Sequence, residues 1–219
     1  MKRFVIADIH GRYKALKECF ERSEFNYDED FLIVDGDVCD RGTEVKECYD
    51  ELLKIKNLIF IRGNHDDMFY KWVKGINLDT ELWCRNGGLE TMKSYDNHRN
   101  YVPNTHTELI EKGKYYYLTE DNKLFVHAGI NVGRDLWEQD IYDLTWNRDF
   151  IKYSFLYKNK IPKYDEIYIG HTPTFRYNSD SICEFGNVWC LDTGAGHGHI
   201  LSIMNIDSKE VFESDYIKK

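Results

Sequence analysis

No stretch of this sequence approaches the ~18 consecutive apolar residues that a membrane-spanning helix needs. The N-terminal run Phe4-Val5-Ile6-Ala7 stops at Asp8, too soon for the core of a secretory signal. A soluble, cytoplasmic protein without a membrane partner is expected. The six cysteines, Cys19, Cys39, Cys48, Cys84, Cys183 and Cys190, contain no C-x-x-C pair. Neither a zinc knuckle nor a disulfide framework is indicated, and the thiols read as reduced and mostly buried. Basic excess is missing too: 29 Lys and Arg against 38 Asp and Glu leave a net charge of −9. That field repels polyanions, so stable nucleic-acid binding is not expected. There is no internal repeat and no low-complexity segment.

What is present suits a folded chain: 42% hydrophobic and 31% charged residues argue against disorder. With 219 residues, one α/β domain spanning 1–219 is expected. Phe4-Val5-Ile6, Phe31-Leu32-Ile33-Val34, Leu58-Ile59-Phe60-Ile61, Leu124-Phe125-Val126 and Ile167-Tyr168-Ile169 read as buried strands. Helical periodicity separates the first three, with Tyr13, Leu16, Cys19 and Phe20 in one stretch and Val45, Cys48, Tyr49 and Leu52 in the next. Later runs around Cys183, Trp189 and Ile203 leave little room for helices, which predicts a second, largely antiparallel sheet. Residues 74–114, with the turn signal Asn86-Gly87-Gly88, read as a helical insertion or cap. The run Tyr115-Tyr116-Tyr117 reads as core and edge-strand packing.

The chemistry lies where these strands end. The first runs into Asp8-Ile9-His10-Gly11 and the second into Asp35-Gly36-Asp37-Val38-Cys39-Asp40-Arg41-Gly42. The third runs into Gly63-Asn64-His65-Asp66, the fourth into His127-Ala128-Gly129, and the fifth into Gly170-His171-Thr172-Pro173. A lone Asp-x-His is commonly just a turn, but five successive strands ending in Asp, Asn or His are not explained that way. Open α/β sheets bind ligands beyond the carboxyl ends of their strands. Carboxylate and amide oxygens mixed with imidazole nitrogens suit Mn²⁺, Fe²⁺ or Zn²⁺. Two such ions ~3.5–4 Å apart can clamp a phosphate and activate water.

Asp8-x-His10-Gly11, Gly36-Asp37-x-x-Asp40-Arg41-Gly42 and Arg62-Gly63-Asn64-His65 resemble, in order, the three signatures of the phosphoprotein phosphatase branch of the calcineurin-like metallophosphoesterases. The likeness continues through Phe125–Gly129, Trp146-Asn147-Arg148, Ile169–Pro173 and Leu191-Asp192-Thr193-Gly194-Ala195, and is greatest to the compact bacteriophage-lambda and bacterial protein phosphatases. It implies a four-layer α/β/β/α sandwich with two mixed sheets. It also implies two divalent ions, Mn²⁺ foremost in vitro, with Fe²⁺ or Zn²⁺ as alternatives. Asp8 and His10 would bind one ion, Asp37 would bridge, and Asn64, His127 and His171 would bind the other. His65, oriented by Asp40, would be the general acid, while Arg41 and Arg148 grip the phosphate and Asn64 touches it.

The implied reaction is hydrolysis of a phosphomonoester by a metal-bridging hydroxide. The implied partner is a phosphorylated protein, peptide or small phosphoester, with serine/threonine or dual specificity. A symmetrical diadenosine tetraphosphatase is the alternative, although that group usually has Ala at the position of Asp40. An RNA-repair phosphatase or phosphodiesterase is a third option. The departures are Ala7 for a common Gly, Asp66 for a common Glu, and Cys39, read as a small buried hydrophobe, for an aliphatic residue. His98 and His106 are expected to be solvated, and His197 and His199 to lie on a surface loop.

Overall fold

In a computed structural model, which describes residues 1–217, the chain opens as a β-α-β-α-β unit. Its elements are β1 (Arg3–Ile6), α1 (Tyr13–Arg22), β2 (Phe31–Asp35), α2 (Val45–Leu52) and β3 (Asn57–Ile61). Helix α3 (Asn64–Lys74) follows and is closed by Gly75 in the left-handed conformation, where glycine carries no Cβ penalty. Residues 80–112 hold α4 (Thr80–Trp83), α5 (Leu89–Ser94) and α6 (Asn104–Lys112). Beyond them come β4 (Tyr116–Leu118), β5 (Lys123–Val126), α7 (Ile141–Thr145), α8 (Asp149–Tyr157) and β6 (Glu166–Ile169). The chain finishes with β7 (Cys183–Phe185), β8 (Val188–Cys190), β9 (Ser202–Asn205) and β10 (Val211–Glu213).

The strands form two five-stranded mixed sheets, ordered β10-β9-β1-β2-β3 and β4-β5-β6-β8-β7. Strands β1, β2 and β3 are parallel, as are β5, β6 and β8. The second sheet is therefore not largely antiparallel. Helices α7 and α8 fill the connection from β5 to β6 and make a parallel crossover possible. The run containing Ile203 also leaves the second sheet: β9 pairs antiparallel with β1, Val5 opposite Met204.

Alternation along each strand feeds separate apolar layers. Phe4, Ile6, Leu32 and Val34 pack outward on Leu16, Phe20, Val45 and Leu52 of α1 and α2. Val5, Ile33 and Ile61 face Phe125, Tyr168 and Leu191 between the sheets. Leu124, Val126, Ile167 and Ile169 cover the far side with Phe150 and Ile151 of α8. This is the α/β/β/α order, and it explains strands that are apolar on both faces. Each such fully buried side chain contributes ~1.5–3 kcal/mol of transfer free energy.

Trp83, Tyr95, Val102 and Ile110, from residues 80–112, belong to the same core as the first sheet. His106 does not reach solvent as expected: it is fully buried, stacked on Tyr49, with Nδ1 2.9 Å from Tyr95 Oη and Nε2 2.9 Å from Asp50 Oδ1. Two polar partners explain how an imidazole enters an apolar layer. His98 is exposed.

Candidate metal centre

The strand ends converge because their backbones are bonded to one another. Asp8 N–H donates to Gly36 O at 3.0 Å, His10 N–H to Asp37 O at 3.0 Å, and Gly170 N–H to His127 O at 2.8 Å. Asp8, His10, Asp37, Asp40, Arg41 and His171 all have positive φ, between 48° and 71°. Non-glycine residues seldom adopt that region, and such outliers cluster at functional sites. Close approach also dictates two glycines: a β-carbon at Gly63 would overlap Asp37 Oδ1, and one at Gly170 would overlap Asp8 Oδ2.

Each central carboxylate ties one oxygen to the backbone and turns the other toward the imidazoles. Asp37 Oδ1 accepts from His65 N–H at 3.0 Å, and Asp8 Oδ2 from His171 N–H at 2.9 Å. Asp37 Oδ2 then lies 3.1 Å from His127 Nε2 and 3.9 Å from both His10 Nε2 and His65 Nε2. Asp8 Oδ1 is 3.9 Å from His10 Nε2, and Asn64 Oδ1 is 3.3 Å from His127 Nε2. All of these residues are buried.

The imidazoles are presented as ligands. His10 Nδ1 is 2.8 Å from Cys39 O, and His127 Nδ1 is 2.8 Å from Asp35 O. A carbonyl can only accept, so each Nδ1 carries a proton, and a neutral ring then keeps its lone pair on Nε2. Burial opposes charge on both rings, but Asp37, bonded at 3.1 Å, raises the His127 pKa well above the ordinary value. In His171 the order reverses, with Nε2 donating to Trp146 O at 3.0 Å. Such carbonyl contacts are the usual way to orient a metal-binding histidine. Two groups, His10–Asp37–His65 and Asp37–His127–His171, place ligand atoms within 4.8 Å of one another, with Asp37 in both. Atoms sharing an ion at ~2.1 Å sit about 3–4 Å apart, so the donor set fits metal ions.

Burial and neighbouring charges push the titrating groups of this cluster in different directions. Burial, then Asp192, raises Asp8 well above the carboxylate range. Asp37 is also disfavoured by burial, but His127 and His65 outweigh it and hold its pKa low. Burial and Arg41 push His10 down, and burial and His127 do the same to His171.

His65 differs from the other imidazoles in its orienting partner. Its Nδ1 is 2.6 Å from Asp40 Oδ2, a carboxylate and not a carbonyl. Burial opposes its charge, yet Asp37 and Asp40 raise its pKa above the ordinary value. Asp40 is fixed in turn by Trp83 Nε1–H at 2.9 Å and Thr91 Oγ1–H at 2.5 Å, and its own N–H donates to Thr91 Oγ1 at 2.9 Å. Trp83 and Thr91 carry no sequence motif, and only the structure identifies them. Asp66 was legible merely as a departure. It accepts backbone N–H groups from Asp37 at 2.7 Å, Val38 at 3.1 Å and Gly63 at 2.9 Å, and so holds the loop that carries Asp37.

Arg41 lies beside this pair, Nη2 3.4 Å from His65 Nε2. Arg148, half-buried at the start of α8, has no hydrogen-bond partner for its Nε among the described residues. Burial, then the charges of Arg176 and Arg41, lowers its pKa. His197 is exposed on a loop as expected, but it also reaches Arg41. Cys39 is fully buried and its thiol pKa is raised by burial, the reading expected of a small hydrophobe.

The family model for calcineurin-like phosphoesterases matches residues 1–201. The chain belongs to that family. Its chemistry is phosphoester hydrolysis, and the imidazole–carboxylate groups described above could hold the metal ions this family depends on. This phosphoesterase is 25% identical to serine/threonine-protein phosphatase 1 of Salmonella typhimurium over 93% of its own length and 91% of the relative's. It is 36% identical to a symmetrical bis(5'-nucleosyl)-tetraphosphatase of Buchnera aphidicola, over 30% of its length and 24% of the relative's. A solved structure described only provisionally as a diadenosine tetraphosphatase has the same fold, with a TM-score of 0.76, 16% identity, and coverage of 100% of this chain and 95% of the other.

Proposed function

We propose that this calcineurin-like phosphoesterase hydrolyses phosphoserine and phosphothreonine in proteins with the help of two divalent cations. Asp8, His10 and Asp37 would hold one cation, and Asp37, Asn64, His127 and His171 the other. Mn²⁺ is the first ion to try, then Fe²⁺ and Zn²⁺, because the donors are oxygens and imidazoles without thiolate. When bound, the cations supply an activated water and neutralise phosphate charge.

The chain's own residues do the rest. Arg41 and Arg148 offer planar, permanently charged groups to the phosphate oxygens, with Asn64 at hand as a further contact. His65 donates a proton from Nε2 to the departing oxygen. Asp40 holds the imidazole by Nδ1 and favours its charged form.

The observation that carries this reading is the 2.6 Å contact between His65 and Asp40, with Trp83 and Thr91 behind it. A serine or threonine alkoxide is a poor leaving group and needs a proton. A nucleotide phosphate leaves readily without one. A buried, charge-stabilised acid therefore suits an alkyl phosphomonoester better than a phosphoanhydride. The near full-length match to a serine/threonine-protein phosphatase supports the same choice.

The short match to a tetraphosphatase keeps a symmetrical diadenosine tetraphosphatase as the second reading. A parallel screen of Mn²⁺-loaded protein against phosphoserine and phosphotyrosine peptides, diadenosine tetraphosphate and a nucleotide phosphodiester decides between them. Highest kcat/KM on the dinucleotide would reject the protein-phosphatase reading.

A further inference from the structure

Residues 191–201 cross from β8 to β9, and this crossing passes against the candidate centre. A β-carbon at Gly196 would stand 2.5 Å from His10 Cδ2 and 2.8 Å from Arg41 Nη1, so the backbone is pressed onto both side chains. The next residue, His197, places Nε2 3.0 Å from Arg41 Nη1. The other terminal nitrogen of Arg41 faces His65. The guanidinium is thus bracketed by two imidazoles.

The crossing is well anchored. Gly194 N–H donates to Asp192 Oδ1 at 2.9 Å, Thr193 Oγ1–H to Ile200 O at 3.0 Å, and Ile217 N–H to His199 O at 2.9 Å. His199 stacks on Phe175 at 4.6 Å, and Phe175 meets the His197 ring edge-on at 5.6 Å. Phe175 lies in the turn Thr174–Tyr177, just after the candidate ligand His171.

We infer that His197 is a positioning residue, accepting the Arg41 Nη1–H at Nε2 and so holding the guanidinium ready for the phosphate. This role rests on the reading of Arg41 as a phosphate clamp. To accept, the ring must be neutral with its proton on Nδ1. Although the residue is exposed overall, partial desolvation of its ring, together with Arg41, Arg176, His199 and Arg148, pushes the His197 pKa down to about 4, which keeps it neutral near physiological pH. A free arginine surrenders rotamer freedom when it grips a substrate, whereas one already held surrenders less. That difference is worth about tenfold in binding.

Two substitutions separate the acceptor from the ring. His197→Phe keeps an aromatic face toward Phe175 and removes the acceptor, while His197→Gln restores an acceptor oxygen. With Mn²⁺-loaded protein and p-nitrophenyl phosphate, His197→Phe is expected to raise KM about tenfold with little change in kcat, and His197→Gln to recover most of the loss. Metal content and thermal midpoint stay unchanged. In an Arg41→Ala background, His197→Phe has no further effect. Equal losses in both backgrounds, or wild-type KM for His197→Phe beside a crippled Arg41→Ala, would overturn the role of His197 alone. Wild-type kcat/KM for Arg41→Ala would remove the clamp reading and this role with it.

Discussion

The indole N–H of Trp83 donates to the carboxylate of Asp40 at 2.9 Å, although Asp40 stands on the loop after β2 and Trp83 ends α4, in the segment read from sequence only as an insertion. Residues 80–112 therefore help to hold Asp40, the residue proposed to orient the general acid. Trp83→Phe keeps the buried ring and removes one donor to an ionised group. The expected outcome is about a tenfold fall in kcat on a phosphoserine peptide, with KM and metal content unchanged. Steady-state kinetics alongside elemental analysis checks it, and a fall in KM-controlled binding alone would argue for a different role.

His65→Asn tests the acid itself. Both metals should remain, and kcat should fall by roughly 10²–10⁴ on phosphoserine, whose alkoxide needs protonation. The loss should be mild on p-nitrophenyl phosphate, whose phenolate leaves unaided. Equal losses on the two substrates, with metal intact, would reassign His65 to phosphate binding or structure.

Asp37 offers an oxygen to both groups of candidate ligands. Wild-type protein loaded with Mn²⁺ is expected to approach about two ions per chain. Asp37→Asn should lower that figure and abolish activity. Full activity of the wild type in excess chelator would refute the metal-dependent reading.

Glu51 provides a pH-dependent test of the fold away from the site. Its buried carboxylate bonds Lys17 and Lys54 at 2.6 Å each, tying α1 to α2. Burial alone would raise its pKa, but the two lysines and Tyr27 lower it from 4.5 to about 2. A depressed carboxylate stabilises the fold above its unfolded pKa, so the contribution is present above about 4.5 and vanishes as pH falls through about 2. Both lysines are largely solvated, so screening reduces the effect to roughly 1–2 kcal/mol. Glu51→Gln should lower the thermal midpoint by about 2–8 °C near neutrality. Thermal melts across pH should show the two proteins converging in acid.

The strand ends were legible because buried strands are short apolar runs, and Asp8, Asp37, Asn64, His127 and His171 interrupt or follow such runs at once. What was not legible depended on contacts between distant segments. Trp83 and Thr91 look like ordinary insertion residues until α4 and α5 are laid against the loop carrying Asp40. His106 sits in a polar stretch, and only Tyr95 and Asp50 make its burial tolerable. The sheet joined by Ile203 is set by where the crossing at residues 191–201 carries the chain after β8. That same crossing brings His197 to Arg41.

The left-handed backbone at Asp8, His10, Asp37, Asp40, Arg41 and His171 has an evolutionary consequence. Each such position costs of order 1–3 kcal/mol, which glycine would relieve. Change rewarded only for folding would therefore favour glycine wherever the side chain's own bonds do not offset that cost, and on the proposed reading it would remove the candidate ligands. Against that relief stand the bonds these side chains make, such as Asp37 to His65 N–H and Asp8 to His171 N–H, and the chemistry proposed for them. Laboratory evolution toward heat resistance would need an activity screen in every round to retain them.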